Sequence, residues 1–325
     1  MAFILDLLAG DAIQPQFQKL LSLVLRPDVS DVVANGSSEW WLDSGQGLVQ
    51  LAGFQLDSQT FEELVRLLVA LGDRHVDQVT PIADVAISSV QLPILERYGI
   101  SRLRLHAVVV SAVSDLTLLS IRVHRVGGFD LADLLAGGMI TQSQASILSN
   151  LSKKRANLLI SGPSGSGKST LLRALIAHTP NLRTVVVEDT AELVPAAGHV
   201  VGLQVRQPNI EGAGAIKLQT LAIQALRMRP DRLVIGEVRG DEAAVLLQAM
   251  NTGHRGSAAT LHANSIGAVL PRLQALLAPS GFSAATVVQA TRTAIDFVIQ
   301  LDRSPNRCVV EIAPWSRVEE LHQQC

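Results

Sequence analysis

Residues 156–178 read ANLLISGPSGSGKSTLLRALIAH. An apolar run, Ala156 to Ile160, leads into G-x-x-x-x-G-K-S, Gly162 to Ser169, and then into a helical apolar pattern. Strand, glycine-rich turn and helix is the context a phosphate-binding P-loop requires. Gly162, Gly165 and Gly167 allow backbone N–H groups to close around phosphate oxygens, with Pro163, Ser164 and Ser166 completing the loop. The helix N-terminus adds a favourable dipole. Lys168 is expected to reach the β- and γ-phosphates and Ser169 to ligate Mg²⁺ through its hydroxyl. Thr170 is expected to support the helix start or an α-phosphate oxygen. A merely flexible glycine–serine turn would not need both flanking elements.

The same pattern recurs on the carboxyl side. RTVVVED (183–189), RLVIGE (232–237) and SAATLH (257–262) are apolar strands with polar residues at their carboxyl ends. Strands alternating with helices argue for a mostly parallel sheet covered by helices, and in such sheets the carboxyl edge binds ligands. Thr141 opens T-Q-S-Q, a capping box with Gln144, and that helix ends in Lys153, Lys154 and Arg155, cations suited to its negative end. Before residue 125 the signals are mixed. SDVVANG (30–36), EWWLD (39–43) and LVQLAGF (48–54) read as short strands, and FEELVRLLVAL (61–71) as a helix stopped by Gly72. LRLHAVVVSAV (103–113) and LTLLSIRVHR (116–125) read as two strands joined at Ser114-Asp115. The chain is therefore α/β: an α+β domain over 1–125, a linker at Gly127-Gly128, and a P-loop domain over 126–325.

Bulk composition narrows the function. With 325 residues and 48% apolar content, two packed domains are the natural division. The net charge of −2 gives no bulk drive toward nucleic acid or an anionic membrane. Cys308 and Cys325 form no CxxC pair, so neither a zinc site nor a disulfide framework is indicated, and a reducing compartment fits. The start lacks the basic leading region of a signal peptide, and no run of about 18 apolar residues predicts a membrane span.

RLVIGEVRGDE (232–242) poses a question. Many nucleotide motors end such a strand in an aspartate that helps hold magnesium. Here Gly236 takes that place and Glu237 follows. Either the magnesium strand is defective, or it is built to aim one glutamate at a water molecule. The alternative is a structural carboxylate paired with Arg239.

Four further segments bear on this. VVVEDTAEL (185–193), QVRQPNIEGAGAI (204–216), LRMRPDRLVIGEVRGDEA (226–243) and NTGHRGSAATLHANS (251–265) fall in the order of the acidic box, an intervening stretch, the variant Walker B and the histidine box of one ATPase superfamily. Over residues 25 to 300 the chain resembles a secretion or traffic ATPase of the GspE/PilB-like superfamily, nearest the CpaF-like, tight-adherence (Flp pilus) branch. The resemblance implies a RecA-like P-loop domain that binds ATP and Mg²⁺. It implies that Glu237 polarises the attacking water, that Glu188 orients water or metal hydration, and that His254 and His262 sit near the γ-phosphate. It implies arginines brought to the phosphates: Arg104 and Arg122 from the amino domain, and Arg227, Arg229 and Arg239 from the motor domain, some of these at a subunit boundary. Relatives often carry a proline pair after the Arg104 segment, where this chain reads VVVSAV, so that loop is set differently. A homo-hexameric ring, an integral-membrane platform protein as partner and a cytoplasmic place at the inner face of the membrane are further implications.

The leading reading is thus a motor for Flp-type pilus assembly or type II/IV secretion. The same motor in a conjugation or DNA-uptake translocase is the competing one. Direct nucleic-acid contact is disfavoured by 3% aromatic residues and the slight negative charge. A non-hydrolysing scaffold would not need Lys168, Ser169 and Glu237 together. A small-molecule kinase would not carry the acidic and histidine boxes.

Overall fold

The computed structural model describes residues 13–45, 47–125, 130–194, 198–206, 214–303 and 306–323. These fall into two compact units, 13–125 and 130–323. The expected linker at Gly127-Gly128, the first twelve residues and part of the 204–216 stretch lie outside the described residues.

In the first unit, α1 (Gln14–Val24) precedes β1 (Asp31–Asn35), β2 (Glu39–Asp43) and β3 (Leu48–Gln50). Then come α2 (Ser58–Leu71), β4 (Ile82–Ser88), the short α3 (Ile94–Arg97), β5 (Ile100–Val108) and β6 (Leu118–Arg125). The strands form one antiparallel sheet in the order β3-β2-β1-β6-β5-β4. Alternation decides its faces. Along β5, Leu103, Leu105 and Ala107 are buried, while Arg102, Arg104 and His106 point the other way. Trp40 and Phe61 centre the core, edge to face at 5.5 Å. Burying each such ring contributes about 2–3 kcal/mol.

The sequence reading differs from the structure at three places here. The helix starts at Ser58 because Asp57 caps it, its carboxylate accepting from Thr60 N at 3.0 Å. The strand begun at Leu48 stops at Gln50. β5 ends at Val108, and the apolar residues beyond it, Val110 and Val113, are exposed in the β5–β6 loop. Gly72 does stop α2: a Cβ there would lie 2.6 Å from Val85 Cβ, so only glycine lets the helix end approach β4 this closely.

The second unit runs α4 (Leu131–Ala136), α5 (Gln142–Lys153), β7 (Leu158–Ser161), α6 (Lys168–Ala177), β8 (Thr184–Glu188), β9 (Val200–Gln204) and α7 (Leu218–Leu226). It continues through β10 (Arg232–Val238), α8 (Glu242–Asn251), β11 (Ala258–Leu261), α9 (Val269–Leu277), α10 (Ala284–Ala294), β12 (Phe297–Asp302), β13 (Cys308–Pro314) and α11 (Trp315–Gln323). The sheet order is β13-β12-β7-β11-β10-β8-β9, parallel except for β13. Its central strands, β12, β7, β11, β10 and β8, are largely buried on both faces, which is why they read as continuous apolar runs, while the edge strands β9 and β13 are partly exposed. Leu158, Ile160, Val186, Val234 and Ile299 join one core with α4–α6, while Leu159, Val187, Leu233, Ile235 and Val298 join another with α7–α11. The capping box forms as expected, Thr141 Oγ1 accepting from Gln144 N and Gln144 Oε1 from Thr141 N.

Candidate active site

Four strands, β7, β11, β10 and β8, lie side by side with their carboxyl ends on one edge. The P-loop leaves β7 there. Gly162 adopts φ 151°, and a Cβ on it would meet the Leu301 carbonyl at 2.7 Å. Gly167, at φ 92°, caps α6 in the left-handed region, and a Cβ on it would meet Met139 Cε at 2.7 Å. No side chain caps α6, so its first N–H groups face the loop as an anion site. Lys168 is the first residue of α6 and is 7% exposed. Its Nζ donates to the carbonyls of Gly162 (3.0 Å) and Pro163 (2.8 Å), which holds the ammonium inside the loop. Burial pushes its pKa down, against the opposing pull of the Glu237 charge. Ser169 and Thr170 follow, half-buried, on the first turn of α6.

Glu237 stands near the end of β10 with both oxygens engaged. Oε2 accepts from Arg239 Nη2 at 2.7 Å, and Oε1 lies 3.1 Å from His262 Nε2. Arg239 also reaches Asp189, 3.4 Å away. Burial raises the Glu237 pKa, but the Arg239 hydrogen bond and charge, with His262 and Lys168, outweigh it and hold the carboxyl below its usual range. Burial, then the Lys168 charge, lower the His262 pKa, so its ring is neutral at neutral pH beside the Glu237 carboxylate. The pairing with Arg239 is therefore real, yet it leaves Glu237 within the electrostatic reach of Lys168.

Gly236 is explained by its neighbour strand. A Cβ at 236 would sit 3.0 Å from Glu188 Cγ, so any side chain there, an aspartate included, would press on Glu188. The β10–β11 register shifts between Ile235 and Val238, and Thr260 Oγ1 donates to the Gly236 carbonyl at 2.6 Å. The strand bends at the glycine and delivers Glu237 instead.

The structure gives Glu188 a structural contact and sets one histidine apart from the cradle. Glu188 is 3% exposed, and its Oε1 accepts from the backbone N–H groups of Glu192 (2.9 Å) and Leu193 (3.0 Å). These contacts fasten the loop after β8. His254 precedes β11 whereas His262 follows it. In a parallel sheet that puts His254 on the amino edge, about 13 Å of strand from the cradle. Arg227 and Arg229, ahead of β10, lie on the same amino edge. Arg104 and Arg122 are opposite each other across β5 and β6 in the first unit, each ion-paired there, Arg104 with Asp84 (2.7 Å) and Arg122 with Asp31 (2.9 Å).

The sequence reading missed Arg303, whose Nη1 lies 3.5 Å from the Ser164 carbonyl. The strand before it was legible, FVIQLD (297–302) being another apolar run with a polar end; its adjacency to β7 was not. A cavity of about 390 Å³ opens beside the loop, lined by Pro163, Asn264, Ser265, Gln300, Asp302 and Glu311 among others. The oxygen donors near Lys168, namely Ser169, Asp189 and Glu237, are hard ligands of the kind Mg²⁺ takes. No helix among the described residues is long and apolar enough to cross a membrane.

Comparison with known proteins fits this geometry. A family model described as "Type II/IV secretion system protein" matches residues 15–313. A putative conjugal transfer protein of Mycobacterium tuberculosis (strain H37Rv) is 37% identical over 293 residues, covering 89% of this chain and 82% of that protein. Among solved structures, the ATPase DotB of Legionella pneumophila superposes with a TM-score of 0.67 at 16% identity, over 97% of this chain and 85% of that one. The pilus retraction motor PilT with bound ADP gives 0.65 at 16% identity, over 94% and 85%. The two structural likenesses show a shared fold.

Proposed function

The chain belongs to the type II/IV secretion system protein family, and from that premise we propose that this ATPase spends ATP on mechanical work for pilus assembly or secretion. The observation that carries the reading is the cluster of Lys168, Glu237 and His262 around one P-loop. Glu237 polarises the attacking water; to do so it exchanges one of its two present partners for that water, and Arg239, being exposed, is the one that can swing away. His262 then keeps the carboxylate oriented. Bound Mg²⁺ would be held by Ser169 and phosphate oxygens, and it would neutralise charge developing on the phosphates. Arg104 and Arg122 of the first unit are the candidates for phosphate-sensing arginines. A homo-hexameric ring, peripheral attachment at the inner membrane face and an integral-membrane platform protein complete the proposal.

The test separates binding from chemistry. Lys168→Ala is expected to abolish ATP binding. Glu237→Gln is expected to bind ATP but to release phosphate about 10²–10⁴-fold more slowly, the usual worth of a positioned base. Wild-type turnover in Glu237→Gln would remove the water-polarising role.

A DNA-transfer translocase is the second reading, favoured by the M. tuberculosis relative, named a putative conjugal transfer protein. Stimulation of ATP hydrolysis by DNA would support it over a pilus or protein-secretion motor.

A further inference from the structure

The β12 side of the cradle carries a cation that the chemistry above does not use. β12 pairs with β7 in parallel, Gln300 opposite Ser161, so the segments leaving the two strands run side by side. The Leu301 carbonyl crowds Gly162, and the exposed Arg303 guanidinium hangs over the loop tip, Nη1 3.5 Å from the Ser164 carbonyl and 3.7 Å from where a Gly165 Cβ would stand. A contact of 3.5 Å to a neutral carbonyl holds a guanidinium weakly. The adjacent Asp302 carboxylate accepts from the Arg303 backbone N–H at 2.6 Å, and among the described residues Arg303 makes no ion pair. The charge is therefore available beside a loop built for phosphate.

Strand order decides which part of a nucleotide it meets. β11 and β10, with His262 and Glu237, flank β7 on one side, and β12 flanks it on the other. The bond that is cut must face Glu237. Arg303 faces away from it, on the side where the 390 Å³ cavity is lined by Pro163, Leu301 and Asp302, a volume within the range of small-ligand sites. A guanidinium is suited to phosphate oxygens by its planar fork of donors.

We propose that Arg303 anchors the nucleoside diphosphate portion common to ATP and ADP, and so sets affinity for both nucleotides rather than the rate of hydrolysis. The proposal rests on the P-loop binding ATP as argued above. The full-length chain is titrated with fluorescently labelled ATP and ADP analogues, as wild type, Arg303→Ala and Arg303→Lys, alongside phosphate release over a range of ATP concentrations. Arg303→Ala is expected to weaken both nucleotides by about tenfold or more, the worth of a charged hydrogen bond, with the melting temperature unchanged and KM for ATP raised by a larger factor than kcat falls. Arg303→Lys is expected to recover part of the affinity. Unchanged affinities would overturn the proposal. So would loss of ATP affinity alone, or a fall in turnover with ADP affinity intact. Lys168→Ala run in parallel tells the two readings apart: if it binds nucleotide as wild type does, the P-loop assignment has failed, not the anchoring role alone.

Discussion

The two edges of the parallel sheet in the second unit use charge in opposite ways. On the amino edge, apart from the Arg255–Asp296 ion pair and the Arg183–His199 contact, polar side chains are committed to backbone. Arg155 donates to the carbonyls of Arg255 and Asp231, Arg183 to that of Met228, and the buried Asn157 donates to Ala294 O while accepting from Gly256 N. On the carboxyl edge, Glu237, His262, Arg239 and Asp189 face one another, with the Lys168 charge within their reach. The first arrangement closes turns and has one good solution. The second is a set of partners that can be exchanged, which is what a site needs when a highly charged ligand enters and leaves. The difference teaches that charge density alone does not mark a site; what marks it is whether the charges are spent on fixed backbone or on each other.

The contrast can be broken most sharply at Asn157. Asn157→Ala leaves the Ala294 carbonyl and the Gly256 N–H without a partner, so it is expected to cost about 3 kcal/mol of stability in denaturant unfolding, with nucleotide affinity unchanged wherever the protein remains folded. A loss of affinity at full stability would mean the amino edge is not purely structural.

A smaller effect is expected at Gly236. Gly236→Ala places a Cβ against Glu188 and should destabilise by about 1–2 kcal/mol. A double-mutant cycle with Glu188→Ala should show positive coupling, because shortening Glu188 opens the space. Additive effects would mean that the glycine serves the strand bend rather than the close approach.

The smallest effect sharpens the exchange idea. Arg239 holds the Glu237 carboxyl down against a burial effect that pushes it up. Removing the guanidinium lets the folded-state pKa rise, so Glu237 takes up its proton at a higher pH. Arg239→Gln is therefore expected to move the acid limb of the kcat/KM–pH profile, which reports the free enzyme, upward, while the alkaline limb stays put. An acid limb that does not move would show that Arg239 does not govern Glu237.

Much of this was legible before any coordinates. The P-loop, the parallel strands and the Thr141 cap depend on local spacing, and local spacing is what a sequence displays. Glu237 was readable because strand direction alone puts it on the ligand edge. His254 and His262 were grouped because they share a motif, yet one precedes and the other follows a four-residue strand, and that strand separates them. The burial of Glu188 and its grip on the Glu192 and Leu193 amides were not legible, because they depend on how the chain folds back after β8. β4, IADVAIS, escaped notice although its alternation is regular, with Ala83, Val85 and Ile87 buried and Ile82 and Asp84 exposed. Arg303 was missed for a different reason: it belongs to the cradle only because β12 lies next to β7, and adjacency of strands 140 residues apart is not written in either one.

β10 has a further implication. Neighbouring residues on a strand look to opposite faces, so Gly236 packs on Glu188 while Glu237 turns to the loop. With Glu237 in its proposed role, strand parity is thus part of the site's design. Inserting or deleting one residue within Arg232–Ile235 would rotate the acid out of reach and offer a valine or a bare glycine in its stead, whereas a change of two would restore the facing. Length variation between homologous motors should accordingly collect in the loops and spare this strand.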